Sequence, residues 1–147
     1  MIVATADAME ALGASLAQSL RPGDIVGLSG GLGTGKTTLA RGILRGLGHQ
    51  DEVPSPSFAI VQPYEPPAVR LPLAHVDLYR LESADEIKEL GLDDWLTDGA
   101  LVVEWPERLD LGLLRDALVI DIAVGEDGAR ILTIAVPGAW EGRWPPQ

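Results

Sequence analysis

Two patterns of apolar residues follow each other near the start of the chain, the first with helical spacing and the second continuous. The helical face is formed by residues three or four positions apart: Met9, Leu12, Leu16 and Leu20. This spacing predicts a helix from about Ala6 to Leu20, and the side chain of Thr5 is placed to cap its N-terminus. The short, mostly apolar run Asp24–Ser29 is typical of a strand buried inside a sheet.

Two further helical segments follow this strand. Apolar residues recur at helical spacing from about Thr38 to Leu47, and the glycine that comes next is placed to end the helix. Ser83 stands three residues before Glu86, as in a capping box. This arrangement predicts another, short helix that ends at Gly91.

Five later segments have the continuous or alternating apolar patterns of strands. They are Ser57–Gln62, Leu73–Asp77, Ala100–Glu104, Ala117–Val124 and Arg130–Val136. The last two flank Gly125–Gly128, whose glycines and acidic residues predict a hairpin turn. The prolines of Pro63–Pro67 predict a turn after the first of the five.

A complete phosphate-binding pattern lies between the first predicted strand and the helix that follows it. This segment, called the glycine loop below, is Gly30-Gly31-Leu32-Gly33-Thr34-Gly35-Lys36-Thr37. Glycines let the backbone approach a polyphosphate closely, so that successive N–H groups point at its oxygens. Lys36 would reach the terminal phosphates, and the hydroxyl of Thr37 would join the ligands of a bound Mg²⁺.

The order of strand, glycine loop and helix is the order that a nucleotide site requires, and the alternative is an ordinary glycine-rich turn before a helix. We predict that the loop binds a nucleoside triphosphate. The expected nucleotide-binding residues here are Gly31, Leu32, Gly33, Thr34, Gly35, Lys36, Thr37 and Thr38.

The same order predicts the fold class. We expect an α/β fold, a single P-loop NTPase domain over residues 1–147, because a strand–loop–helix unit belongs to a largely parallel sheet. The predicted sheet is mixed but mostly parallel, is flanked by helices and ends in an antiparallel C-terminal hairpin. Residues 138–147 are expected to form a flexible tail.

Two of the predicted strands end in acidic residues, Asp77 and Glu104. Open α/β sheets bind ligands at the carboxyl ends of their strands, so both acids are candidate ligands of a metal or a water. Asp77 has an alternative role as the cap of the turn that follows it. Glu104 lies between apolar residues, where a buried carboxylate needs a metal or a hydrogen-bond partner. The candidate catalytic residues are therefore Lys36, Asp77 and Glu104.

Two side chains beside these acids have less specific interpretations. His75 precedes Asp77 by two residues and shares its strand face, where a lone histidine is more often a hydrogen-bonded structural residue than a catalyst. Trp105 is amphipathic and fits either the core or a contact surface.

Composition and charge exclude several classes of protein. The chain has 147 residues, 46% of them hydrophobic, which is enough for one substantial core. Its net charge of −11 argues against independent binding of nucleic acid. The sequence has no cysteine, no apolar run long enough to span a membrane and no signal-peptide pattern at its start. A cytoplasmic location is expected by elimination.

Together, these segments resemble the TsaE (YjeE) family, ATPases of bacterial tRNA threonylcarbamoyladenosine biosynthesis. The generic part of the resemblance is the glycine loop with Arg41-Gly42, and the specific part is its combination with segments that follow in family order. These segments are Ser55-Pro56-Ser57-Phe58, His75-Val76-Asp77-Leu78-Tyr79-Arg80-Leu81, Glu89-Leu90-Gly91-Leu92 and Glu104-Trp105-Pro106-Glu107-Arg108. The likeness extends from about Met9 to Arg108.

The resemblance implies ATP or ADP and Mg²⁺ as cofactors, weak hydrolysis by the chain alone, and work with two partner proteins, TsaB and TsaD. It implies that Thr37 and Glu104 hold the metal and that Asp77 lies near the γ-phosphate, acting on its water or on the metal shell. Ser57 would lie beside the nucleotide, and Arg130 would match an arginine near the base. tRNA would be contacted mainly through the partners.

Three positions depart from the family pattern. Gly31 replaces a usual aspartate, Ser57 replaces a usual threonine, and Met9 stands where the family commonly has a threonine near the nucleotide. The hydroxyl group survives at Ser57, whereas Met9 removes a polar contact and Gly31 removes a negative charge.

Two other functions remain open from the residues themselves. A small-molecule P-loop kinase would use the same loop, although 147 residues leave little room for an acceptor pocket and a lid. A nucleotide-sensing interaction module would bind without useful hydrolysis, and the acids Asp77 and Glu104 argue against it.

Overall fold

The computed structural model describes residues 1–54, 56 and 60–146 and has one sheet flanked by helices. Its strands are β1 (Ile2–Val3), β2 (Ile25–Ser29), β3 (Val61–Tyr64), β4 (Leu73–Asp77), β5 (Ala100–Glu104), β6 (Leu118–Val124) and β7 (Arg130–Ala135). Its helices are α1 (Ala6–Ala17), α2 (Lys36–Gly46), α3 (Ala84–Lys88), α4 (Leu92–Trp95) and α5 (Leu111–Arg115), with 3-10 turns at Pro106–Arg108 and Gly138–Trp140. The predicted α/β fold class is confirmed.

The seven strands of the described residues follow the order β1-β7-β6-β2-β5-β4-β3. The four inner strands β6, β2, β5 and β4 are mutually parallel, and the outer strands β7, β1 and β3 join antiparallel. The sheet is therefore mixed, and β6 and β7 form the predicted C-terminal hairpin. The two-residue strand β1 is too short to leave an alternating pattern in the sequence.

The strand predicted at Ser57–Gln62 overlaps β3 at Val61 and Gln62. Its first three residues lie outside the described part of the chain, and β3 runs instead from Val61 to Tyr64. Pro63, predicted to lie in a turn, pairs with Ala74 of β4. A proline is tolerated there because β3 is an edge strand, whose open side needs no ladder donor.

Helix α1 begins where predicted, with the Thr5 hydroxyl accepting a hydrogen bond from the Ala8 amide at 3.1 Å. It ends three residues before the predicted Leu20, which is still buried. Helix α2 begins at Lys36, inside the glycine loop, two residues earlier than predicted. The two helices pack so closely that a Cβ atom at Gly42 would lie 2.1 Å from the carbonyl oxygen of Glu10. Every helix in the described residues is too short or too polar to cross a membrane.

Strand side chains alternate between two hydrophobic clusters, one on each face of the sheet. Val26, Leu28 and Val102 pack in the cluster that contains α1 and α2 residues. Ile25 and Leu101 pack in the second cluster, against residues from the α3–α5 side. Burial on both faces explains why the inner strands are continuously apolar.

The C-terminal residues 138–146, expected from the sequence to form a tail, pack against the fold. The Trp140 side chain is fully buried in the α1–α2 cluster. The guanidinium of Arg143 lies 4.1 Å from the centre of the Trp140 ring and donates to both carboxylate oxygens of Asp24, at 2.6 and 2.9 Å. These hydrogen bonds raise the pKa of Arg143 above its ordinary value. The ion pair to Asp24, just before β2, and the buried Trp140 ring thus hold this segment against the fold.

Candidate functional site

The glycine loop joins β2 to α2 at the carboxyl ends of the parallel strands. Strand β5 lies directly between β2 and β4, so the predicted acids at the ends of β4 and β5 come beside the loop. A cavity of about 540 Å³ opens at this point. It is lined by most of the predicted site residues: Leu32, Gly33, Thr34, Gly35, Lys36, Thr37, Thr38, Asp77, Glu104 and Arg130. Ser57, also predicted, lies outside the described residues.

The loop backbone adopts conformations that favour glycine. Gly30, Gly33 and Gly35 have φ angles of +131°, +76° and +115°. A Cβ atom at Gly30 would also lie 2.3 Å from the carbonyl oxygen of Ile122, on β6. The loop is therefore seated against the main chain of the neighbouring strand.

Gly30→Ala is expected to lower the free energy of unfolding by about 2–4 kcal/mol, because it adds a clash with a carbonyl group to a left-handed backbone. A Cβ atom at Gly31 meets no atom within 4 Å. Gly31→Ala is therefore expected to stay within about 1 kcal/mol of the wild type. Urea denaturation of both variants measures the difference, and an equal loss in the two would contradict this loop geometry.

Lys36 lines the cavity, and its ammonium group is hydrogen-bonded to the glycine loop. Its ammonium group donates to the carbonyl oxygens of Gly30 at 2.6 Å and Gly31 at 2.9 Å. The same nitrogen lies 4.9 Å from the centre of the Trp105 ring, within cation–π range. Lys36 as a residue is 6% exposed, so its charge is largely shielded from water beside the loop.

Asp77 and Glu104 are register partners at the ends of β4 and β5, and both are buried. Asp77 Oδ1 accepts a hydrogen bond from the Tyr79 amide at 2.9 Å, so the alternative role as a turn cap is also present. Glu104 Oε2 lies 2.7 Å from Nε2 of His75, which is fully buried. His75 is thus hydrogen-bonded, as expected, and its partner is a candidate catalytic residue.

Trp105 is half-buried against the second hydrophobic cluster and also lines the cavity, so it has features of both the core and a contact surface. Its backbone is left-handed, with φ 61° and ψ 54°, an uncommon conformation for a bulky residue. Its ring lies 4.9 Å from the ring of Tyr79, measured between centroids. Tyr79 and Arg80 also line the cavity, and Tyr79 was not predicted as a site residue. Its place two residues after the strand-end acid Asp77 is the signal that could have found it.

Arg130 contacts the outer side of the loop. Its guanidinium donates to the carbonyl oxygens of Thr34 at 2.7 Å, Gly128 at 2.7 Å and Gly33 at 3.4 Å. Two of these bonds go to carbonyls of the glycine loop and one goes to the hairpin turn. Arg130 therefore links the turn to the loop. The residue also borders a second cavity of about 160 Å³, walled on its other side by residues 4–6 and Met9.

The oxygen atoms of Thr37, Asp77 and Glu104 suit a hard cation such as Mg²⁺. No group of three His, Cys, Asp or Glu residues able to hold a metal occurs in the part of the chain that the structure describes. This donor set fits an ion that takes its remaining ligands from phosphate oxygens and water.

Comparison with known proteins connects this geometry to a family. The model of the family described as threonylcarbamoyl adenosine biosynthesis protein TsaE matches residues 3–132. The chain belongs to the TsaE family. The matched span runs from β1 to β7 and includes every predicted site residue, from Gly31 to Arg130.

Several relatives share most of the chain's length. A tRNA threonylcarbamoyladenosine biosynthesis protein TsaE from Streptomyces coelicolor is 45% identical over 139 residues, covering 92% of this chain and 93% of the relative. The Bacillus subtilis protein of the same name is 40% identical over 119 residues, covering 80% and 73%. The crystal structure of Bacillus subtilis YdiB superposes with a TM-score of 0.76 at 31% identity, covering 94% of this chain and 84% of that one. The fold of YdiB is therefore shared over most of this chain.

Proposed function

We propose that this chain is a Mg²⁺-dependent ATPase subunit of tRNA threonylcarbamoyladenosine modification that acts with the proteins TsaB and TsaD. The observation that carries the proposal is the meeting of Lys36, Asp77 and Glu104 in one cavity beside the glycine loop. A cation for phosphates and carboxylates for a metal or a water are the parts that phosphoryl transfer to water requires. Membership of the TsaE family supports the modification pathway.

In this proposal the loop amides and Lys36 hold the phosphates of ATP or ADP. Lys36 exchanges its bonds to the carbonyls of Gly30 and Gly31 for phosphate oxygens, which are stronger acceptors because they are charged. Thr37 and Glu104 hold Mg²⁺, which when bound neutralises negative charge on the phosphates. Asp77 positions the attacking water or supports the metal shell, with its orientation fixed by the Tyr79 amide.

The base of the nucleotide is proposed to enter the second cavity, between residues 4–6 and Arg130. This cavity adjoins the first because both are lined by Thr34, Gly35 and Thr38. One nucleotide can therefore span the two. Met9 presents a thioether to this cavity in place of a hydroxyl, so apolar contact there replaces a polar one.

The net charge of −11 supports a division of labour in which the partners make most of the tRNA contact. Repulsion from the phosphate backbone opposes tight binding of tRNA by this chain alone. The proposed role in tRNA modification is consistent with a cytoplasmic location.

Measuring ATP hydrolysis with and without the TsaB–TsaD pair tests the proposal. We expect weak turnover by the chain alone and stimulation by the pair, because water positioning can be completed by a docked partner. Glu104→Gln, which removes the carboxylate charge and keeps the shape, is expected to lower the stimulated rate by about 100-fold, as for other losses of a transition-state electrostatic contact. Absence of stimulation in the wild type would count against the assembly.

The same preparations separate the two alternative functions. A phosphorylated product from a panel of nucleosides and sugars would identify a small-molecule kinase. Support of tRNA modification by a variant that binds ATP without hydrolysing it would identify a nucleotide sensor.

A further inference from the structure

His75 is a fully buried ring on β4 whose polar contact leads directly to the proposed metal site. Its Nε2 atom lies 2.7 Å from Oε2 of Glu104. In the β4–β5 register His75 lies opposite Val102, and Glu104 lies opposite Asp77. The Glu104 carboxylate therefore contacts a ring that lies two residues deeper in the sheet than its own register partner.

The chemistry of the two groups determines which one donates the hydrogen bond. A carboxylate accepts hydrogen bonds and has none to donate, so the hydrogen in the bond is carried by Nε2 of His75. The other ring nitrogen, Nδ1, is buried with no hydrogen-bond partner in the described residues. A buried polar atom without a partner costs stability, so the ring is poorly explained as a device for folding alone. Its one polar bond in the described residues is the one to Glu104.

We propose that His75 is a positioning residue that sets the Glu104 carboxylate for the Mg²⁺–nucleotide complex. The bond to Oε2 restrains a side chain with three rotatable bonds and leaves Oε1 for a ligand in the cavity. Groups that hydrogen-bond to metal ligands in this way commonly raise metal affinity 10- to 100-fold. This proposal rests on the proposed function, because it needs a metal at Glu104.

Calorimetric titration with a non-hydrolysable ATP analogue, with and without Mg²⁺, tests the proposal. His75→Leu is expected to weaken binding of the Mg²⁺ complex by about 10- to 100-fold and to leave Mg²⁺-free binding unchanged. His75→Gln, whose amide nitrogen can occupy the place of Nε2, is expected to keep most of the Mg²⁺ response. In a Glu104→Ala background, His75→Leu is expected to have no further effect, because its target is gone.

The pair His75→Gln and His75→Asn covers the case in which the leucine variant does not fold. Both are polar amides, but asparagine is one carbon shorter and does not reach Glu104. A Mg²⁺ response that survives in the glutamine variant and falls in the asparagine variant supports positioning. Equal responses in these two variants overturn it.

Three further outcomes separate the role of His75 from the proposed function and from a purely structural role. A wild-type chain that responds to Mg²⁺, together with a folded leucine variant that responds equally, overturns the role of His75 alone. A wild-type chain whose binding of the analogue does not respond to Mg²⁺ overturns the metal site itself and the role of His75 with it. A leucine variant equally weakened with and without Mg²⁺ indicates a structural role and also overturns positioning.

Discussion

Lys36→Ala is expected to weaken the binding of ATP and ADP by about 100-fold or more. The ammonium group is nearly buried at the loop and makes two hydrogen bonds that phosphate oxygens can replace. Hydrogen bonds to charged groups contribute about 1.5–3 kcal/mol each, and about 1.4 kcal/mol corresponds to a factor of ten in affinity. Isothermal titration calorimetry with ADP measures the loss.

The matched control is Lys88→Ala, which removes the chain's other lysine from the exposed surface of α3. Because both variants remove one positive charge from a chain of net charge −11, the control separates a local contact from a general electrostatic effect. Affinity should stay near the wild-type value in this control. Near-normal ADP binding by Lys36→Ala would remove the glycine loop from the nucleotide site.

Trp140→Ala is expected to lower the free energy of unfolding by about 3–5 kcal/mol, a loss typical of large aromatic side chains removed from a core. The side chain is fully buried beside α1 and α2 and lies against Arg143. The melting temperature should fall by about 10–20 °C, which circular dichroism can follow on heating. This would be a large effect for a residue in an apparent tail.

Trp140→Phe is the matched variant for this prediction. It keeps most of the apolar area and removes an indole N–H that has no hydrogen-bond partner in the described residues. Its loss of stability should therefore be well below that of the alanine variant. If both variants melted at the wild-type temperature, residues 138–146 would not be part of the packed core.

The parts of the site that could be predicted are those that short stretches of sequence identify. The glycine loop is a contiguous pattern, and Asp77 and Glu104 stand at the ends of apolar runs, so each was found from its neighbours alone. Their meeting depends on β5 lying between β2 and β4, an order that no local pattern in the sequence contains. The α/β class followed from the order of the elements, whereas β1 was missed and Pro63 and Tyr64 of β3 were expected in a turn.

Contacts made through space were beyond the reach of sequence patterns. The bond between His75 and Glu104 joins residues 29 positions apart, and each bond from Arg130 to the glycine loop spans nearly 100. Trp140 was placed in a tail because prolines and glycines surround it, although an aromatic side chain of this size gains more from burial than from water. Such contacts are set by the packing of the whole sheet.

Because β1 pairs with β7, the pocket can form only after β7 has been synthesised. Met1 and Leu132 exchange main-chain hydrogen bonds of 3.1 and 2.8 Å, which hold β1 against a strand that lies 131 positions later in the chain. A nascent chain that ends before Arg130 lacks both the clamp on the glycine loop and the support for the wall at residues 4–6. Pairing between such distant segments is slow to form. A complete pocket therefore requires that the chain has been made and folded at least as far as β7.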